Sequence, residues 1–252
     1  MTTASAFEWC IAERAEVSLD DDTVHLWCCR HDTVAVAAAV DERSLSADEV
    51  RRADRFVFEQ DRRRFVEARL FLRSVLADHC SCAPGDIEFE LGSTGKPDLV
   101  STVGAPAVAF NVTHSKSWSL VACSAGSPVG VDIERVRPFP ELSDVAAKVL
   151  SARELAMMLV LPPGEQLGVF FRLWTRKEAA SKVFGAGLSD DLIAVELPPL
   201  VPRARQPVWS GAIRVDHRAC TMIDFDFDAD HVAALVVGGE CRAVRFHPPS
   251  VR

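Results

Sequence analysis

The sequence predicts an α+β fold of two similar lobes, and three observations carry that expectation. Short runs rich in Val, Ile, Phe and Cys, bounded by Gly, Pro and Ser, read as strands, and they alternate with longer stretches whose apolar residues recur at helical spacing. The order of elements in the first half is loosely repeated in the second. Two segments also echo each other, WSLVACSAGSPVGVDIE from Trp118 to Glu134 and HVAALVVGGECRAVRF from His231 to Phe246, each reading strand, glycine turn, strand. At 252 residues the chain is long enough for one sizeable core or two modest ones. The expected division is an N-terminal lobe, 1–130, and a C-terminal lobe, 131–252, with a ligand-sized crevice between them.

Taken in order, Val24 to Cys29 reads as a strand. Ser46 to Cys82 reads as one or two helices, with Ser46 as cap and Glu49, three residues on, completing a capping box. Phe65, Leu72 and Leu76 recur at helical spacing and should face a core. Strands follow near Ile87 to Phe89, Val108 to Val112, Leu120 to Ser124 and Val129 to Glu134. In the second half, helices are expected at Ser143 to Val160 and Glu165 to Phe184. Strands are expected near Leu192 to Glu196, Thr221 to Phe227, His231 to Val237 and Arg242 to Phe246.

Composition removes several classes of function. Nearly half of the residues are hydrophobic and a quarter charged, which excludes wholesale disorder and fibrous repeats. No apolar run approaches the roughly 20 residues of a membrane span. Met1 to Glu8 has neither the basic start nor the apolar block of a secretory signal, which points to the cytoplasm. The eight cysteines form no CxxC pair and read as reduced, mostly buried thiols. His79, Cys80 and Cys82 stand close together but lack the second ligand pair of a zinc site. A net charge of -8 argues against binding to nucleic acid. Against that acidic background, eight arginines (51, 52, 55, 62, 63, 64, 69 and 73) meet only four acids between residues 51 and 73. Such a stretch attracts an acidic ligand or is simply a solvated helix face.

Four short motifs carry the chemistry. In Gly130-Val131-Asp132-Ile133-Glu134, strand alternation puts Asp132 and Glu134 on one face, where they repel unless a cation lies between them. Hard carboxylate oxygens suit magnesium shared with a phosphate, although a solvent-facing sheet edge has the same pattern. In Trp174 to Lys182 (WTRKEAASK), Trp174, Glu178 and Lys182 step by four along one helix face, and Gly185 and Gly187 end the helix. An ordinary exposed Glu to Lys pair reads the same way. Phe110 to Ser115 (FNVTHS) is a strand ending in hydroxyl and imidazole donors fit for phosphate oxygens. No nucleophile elbow surrounds His114, which disfavours a serine hydrolase. Gly92 to Pro97 (GSTGKP) is not a Walker motif, because its glycine spacing is short and Pro97 stands where a magnesium-binding hydroxyl should be.

In the order GKP, FNVTHS, GVDIE, WTRKEAASKVFGAGL, these segments resemble the surfactin-synthetase-activating (Sfp) type of 4'-phosphopantetheinyl transferase. The resemblance spans about residues 50 to 190 at motif level. It implies a monomeric cytoplasmic enzyme of two pseudo-symmetric α/β lobes, with coenzyme A in the cleft and Mg2+ on its pyrophosphate. The implied reaction moves 4'-phosphopantetheine to a serine of an apo acyl or peptidyl carrier protein of fatty acid, polyketide or non-ribosomal peptide synthesis, releasing adenosine 3',5'-bisphosphate. By position, Asp132, Glu134 and Glu178 would hold the metal, Glu178 or a water on it would deprotonate the serine, and Lys182 would neutralise the pyrophosphate. His114 would meet the 3'-phosphate, with Arg52, Lys96, Pro97 and Thr113 around the nucleotide. Thr113 stands where the family often has serine and keeps the hydroxyl. Carrier docking is expected on the arginine-rich stretch, around Arg63 and Arg64, or on the apolar segment of Phe139, Leu142 and Met157 to Leu159. Two rivals stand beside this reading: a non-catalytic coenzyme A-binding module, which would not need the carboxylates, and a metal-dependent pyrophosphate hydrolase, which would need no protein acceptor.

Overall fold

A computed structural model describes residues 8–11, 19–20, 22–31, 42–92, 96–100, 107–185, 192–195, 197–200 and 208–248. The strands are β1 (Glu8–Ile11), β2 (Thr23–Arg30), β3 (Phe89–Leu91), β4 (Pro97–Leu99), β5 (Val108–Ser115), β6 (Trp118–Ala125), β7 (Val129–Arg135), β8 (Val208–Val215), β9 (Arg218–Asp226), β10 (His231–Gly238) and β11 (Ala243–His247). The helices are α1 (Ala47–Ala53), α2 (Glu59–Cys80), α3 (Leu142–Val149), α4 (Ala152–Leu159) and α5 (Pro163–Val183). Among the described residues no helix is long and apolar enough to cross a membrane.

The expected α+β class holds. Two main sheets form, ordered β1-β11-β2-β6-β5 and β7-β10-β9-β8, beside a small β3-β4 hairpin. They stack because strand alternation gives each an apolar inner face: Val24, Leu26, Leu120 and Val244 of the first meet Val131, Ile133, Ile223 and Leu235 of the second. The outer face of the first sheet, through Phe110, Val121 and Cys123, packs on Leu72, Val75 and Leu76 of α2. That of the second, through Met222, Val232, Ala234 and Val236, is covered by Phe170, Leu173, Ala180 and Val183 of α5, with α3 and α4 beside it. The result is four layers, helix, sheet, sheet, helix.

The two echoing segments occupy equivalent places. β6 to β7 passes from the first sheet to the second, and β10 to β11 passes back, each through a glycine in the left-handed region, Gly126 (φ 79°) and Gly239 (φ 93°). Residue 130 therefore falls at the first crossing, while residues 243–247 lie in the first sheet, paired in parallel with β2 and β1. The sheets do not part at a single point of the chain.

Local signals explain most boundaries. Ser46 caps α1 through a full capping box with Glu49. The helix expected from Ser143 to Val160 is two helices, because Ser151 is extended (ψ 160°) and starts α4 with its own capping box to Glu154. The strand expected near Leu192 to Glu196 is instead a 3-10 turn, Leu192–Ala194, and Glu196 lies outside the described residues. The carbonyls of Leu192 and Val195, which a sheet would have used, accept from the buried ammonium of Lys177 at 2.7 and 2.9 Å. That ammonium also meets Glu154 at 3.0 Å, so all three of its donors are engaged. β1, β4 and β8 were not expected from the sequence. β4 opens on a proline, which is tolerated at the first position of a strand, and β8 is an outer strand whose alternation Gly211 interrupts.

Candidate active site

β5 and β7 are end strands of their respective sheets, and they meet through side chains rather than a backbone ladder. Strand alternation points Asn111, Thr113 and Ser115 the same way. Asn111 Oδ1 accepts from the Val131 N–H at 2.9 Å, Thr113 Oγ1 donates to Asp132 Oδ1 at 3.0 Å, and Ser115 Oγ accepts from the Arg135 N–H at 3.2 Å. This polar seam fixes β7 lengthwise. Across its outer face lies α5, and a Cβ on Gly130 would sit 2.1 Å from the Ala179 carbonyl oxygen and 2.6 Å from the Val183 nitrogen. Only glycine lets the strand come this close to the helix.

That approach brings the second-half motifs together. Val131 and Ile133 point into the inter-sheet core, so Asp132 and Glu134 face α5, where Glu178 and Lys182 stand one turn apart. Lys182 Nζ donates to Asp132 Oδ1 at 2.6 Å and to the Val131 carbonyl at 3.4 Å. Asp132 Oδ2 and Glu178 Oε1 are buried with no hydrogen-bond partner. Burial raises the Asp132 pKa despite Lys182, Thr113 and the Ile133 N–H. Burial and then the Asp132 charge raise Glu178, with Lys182 opposing. Glu134 is pushed up to about 7 by burial and by Asp132, against Arg137 and Lys182, with Glu178 adding to the rise. Three carboxylates thus share one lysine and repel one another, which is costly for buried charge unless a further cation joins them.

The donor set fits a hard divalent cation, since two buried carboxylate oxygens on facing elements lack partners and a third carboxyl beside them has its pKa raised first by burial and then by like charge. Among the described residues no group of three His, Cys, Asp or Glu side chains is already drawn into a cage; Asp132 is turned to Lys182 and Thr113 instead. His79, Cys80 and Cys82 form no such group either, and Cys28, Cys29, Cys80, Cys82, Cys123, Cys220 and Cys241 are free thiols.

The remaining expected residues separate into two sets. His114 reaches solvent at the end of β5, and the surrounding protein, then Lys182, and finally Arg52 lower its pKa against the pull of Asp132. Arg52 lies over the Phe65 ring at 5.3 Å and lines, with Arg51, Arg55, Asp48 and Phe56, a cavity of about 570 Å³. Arg52 and His114 therefore sit in one electrostatic neighbourhood with the carboxylates. Thr113 and Lys96 have other partners. Thr113 is buried against Asp132, and Lys96 Nζ donates to the carbonyls of Val129, Lys182 and Val183 at 2.9, 3.0 and 3.3 Å. Pro97 opens β4 opposite Leu91; Ser93 to Gly95, Gly187 and Leu188 lie outside the described residues. Trp174 packs on Phe170 and anchors the face of α5 that carries Glu178.

Two surfaces expected to dock a partner also resolve differently. Arg63 pairs with Glu67 at 2.8 Å. In the apolar segment Met158 is core and Phe139 packs on Phe170 and Phe171, leaving Leu159 and Val160 exposed at the α4–α5 turn. Sequence reasoning did not single out Gly130 as a close-approach glycine or Asn111 as a seam residue. The polar alternation Asn111, Thr113, Ser115 on an otherwise buried strand was the available signal for the seam.

The class of protein built on these two sheets is a transferase, as the match of both halves to family models shows. Residues 30–126 match the model described as 4'-phosphopantetheinyl transferase, N-terminal, and residues 128–236 match that of the 4'-phosphopantetheinyl transferase superfamily. The chain is 33% identical over 226 residues to the 4'-phosphopantetheinyl transferase HetI of Nostoc sp. (strain PCC 7120), covering 88% of this chain and 91% of that one. It is 28% identical over 166 residues to the 4'-phosphopantetheinyl transferase Sfp of Bacillus subtilis (strain 168), covering 61% and 71%. It is 27% identical over 168 residues to the human L-aminoadipate-semialdehyde dehydrogenase-phosphopantetheinyl transferase, covering 63% and 54%. The chain belongs to the 4'-phosphopantetheinyl transferase family, and its likeness to the Sfp type agrees with its motifs.

Proposed function

We propose that this enzyme is a holo-[carrier protein] synthase, which moves 4'-phosphopantetheine from coenzyme A to a serine of an apo acyl or peptidyl carrier protein and releases adenosine 3',5'-bisphosphate. It works as a cytoplasmic monomer of two lobes, 1–130 and 131–252, with β11 exchanged into the first. The observation that carries this reading is the pair of buried, unpartnered oxygens, Asp132 Oδ2 on β7 and Glu178 Oε1 on α5, whose carboxylates interact with each other and with Lys182.

Asp132, Glu134 and Glu178 would hold Mg2+. When bound, the ion polarises the pyrophosphate and offsets charge on the departing bisphosphate. Lys182 neutralises a pyrophosphate oxygen from the same side, and His114 and Arg52 hold the 3'-phosphate end, which fixes the pyrophosphate for in-line attack. The serine oxygen forms a bond to the phosphorus carrying the pantetheine arm as the bridging P–O bond breaks. Glu178, whose pKa burial raises, takes the serine proton. No nucleophile of the enzyme is needed, in keeping with the lack of a nucleophile elbow.

The test is incubation of the purified protein with coenzyme A, Mg2+ and several apo carrier proteins, followed by intact mass. Addition of one phosphopantetheine group, abolished by chelation, is the expected result. Coenzyme A binding without addition to any carrier would favour a binding module, and bisphosphate release without a modified acceptor would favour a hydrolase.

A further inference from the structure

Lys96 stands just before β4, outside the two main sheets, yet its ammonium crosses to the second half of the molecule. Its three acceptors are the carbonyls of Val129, where β7 begins, and of Lys182 and Val183, where α5 ends. An ammonium has three donors, so none is left for a phosphate in this arrangement. The last carbonyls of a helix have no partner within it, and a cation there also meets the negative end of the helix dipole. Lys96 is also held on its own side, where its carbonyl accepts from the Gly92 N–H at 2.9 Å. Burial lowers the Lys96 pKa, with Asp98 opposing.

The placement of these acceptors matters. Val129 precedes Gly130, where strand and helix are closest, and Asp132 lies three residues beyond it. The Lys182 carbonyl belongs to the residue whose ammonium grips Asp132. One side chain thus ties the end of α5 to the start of β7 on either side of the Asp132 to Lys182 pair.

We propose that Lys96 is a positioning residue: it clamps the carboxyl end of α5 onto β7 and so sets the spacing of Lys182 and Glu178 from Asp132, without touching the nucleotide. The turnover part of this inference rests on the transfer reaction proposed above; the clamp itself does not.

The experiment compares the wild type, Lys96→Met and Lys96→Arg. Lys96→Met is expected to speed amide exchange at residues 182–185. It should also lower kcat for transfer about 10- to 100-fold, the scale of an ångström-sized misplacement, while the KM for coenzyme A and the Kd for adenosine 3',5'-bisphosphate stay within about twofold. Lys96→Arg, which can still donate to the carbonyls, should restore slow exchange and most of the turnover. A bisphosphate Kd weakened tenfold or more with kcat unchanged would overturn the proposal, as would unchanged exchange at the helix end. Lysine labelling followed by mass spectrometry on the wild type needs no variant to fold: Lys96 should react slowly, and equally so with and without bisphosphate, whereas protection by bisphosphate would place it at the nucleotide. If the wild type modifies no carrier, the transfer reading fails while the exchange measurement still decides the clamp.

Discussion

Asp132 and Glu178 each present a buried carboxylate oxygen with no partner, a cost to the fold that a cation would remove and that, in Asp132, offsets the bonds its other oxygen makes to Thr113 and Lys182. Replacing either by Ala is expected to abolish transfer to below a thousandth of the wild type while thermal unfolding of the metal-free protein moves little, and near-normal turnover would remove the metal assignment. Glu134 makes a pH-dependent case. Its carboxyl keeps its proton in the folded chain up to about pH 7, against 4.5 as the ordinary value, so between these the folded state binds more protons and stability falls as pH rises. Glu134→Gln should therefore raise the melting temperature in EDTA at pH 8 by a few degrees and leave it unchanged near pH 4, with weaker Mg2+ binding at pH 8. Much of this was legible: alternation along GVDIE and the four-residue steps of α5 gave the right faces. Thr113 and Lys96 were not, because a residue's partner across two sheets depends on tertiary placement that no local spacing encodes.

Among the elements, the contact of β7 with α5 is set by Gly130, and its neighbours there are backbone atoms that cannot swing aside. Gly130→Ala is expected to cost about 3 kcal/mol, at the upper end of overpacking, and to lower kcat more than it raises the KM for coenzyme A. Denaturant unfolding and steady-state kinetics check the two parts. A second junction joins α2, β2 and β11. His247 stacks on Trp27 at 3.6 Å and meets His25 Nδ1 at 3.0 Å, while Trp27 Nε1 donates to His79 at 3.3 Å. Burial, then His25, His79 and Arg245, lower the His247 pKa from 6.5 to about 4. The unfolded chain thus takes up a proton that the folded one refuses, and stability is lost as pH falls from 6.5 towards 4. His247→Phe should reduce that slope in urea midpoints measured at pH 7 and 5. The capping boxes of α1 and α4 are local and could be read directly, though only the first was. The turn at Leu192 could not, since its carbonyls answer to Lys177, a residue on another element.

At the scale of the molecule, the two crossings between sheets make the halves interdependent. A single unfolding transition is expected by both circular dichroism and tryptophan fluorescence, and a fragment ending at residue 130 is expected to stay unfolded because its sheet lacks β11 between β1 and β2. A compact, cooperatively melting fragment would contradict this. The repeat that revealed two similar halves was visible in sequence, but similarity of segments does not say which sheet each strand joins. The insertion of β11 has a further consequence for how the protein is made. Cys28 Sγ donates to the carbonyl of His247 across 219 residues of chain, so β11 up to His247 must clear the ribosome's exit tunnel before that sheet can close. Until then β2 waits with its β11-facing edge bare, a template for strands of other nascent chains, and slowing translation would prolong that exposure rather than help the first half fold.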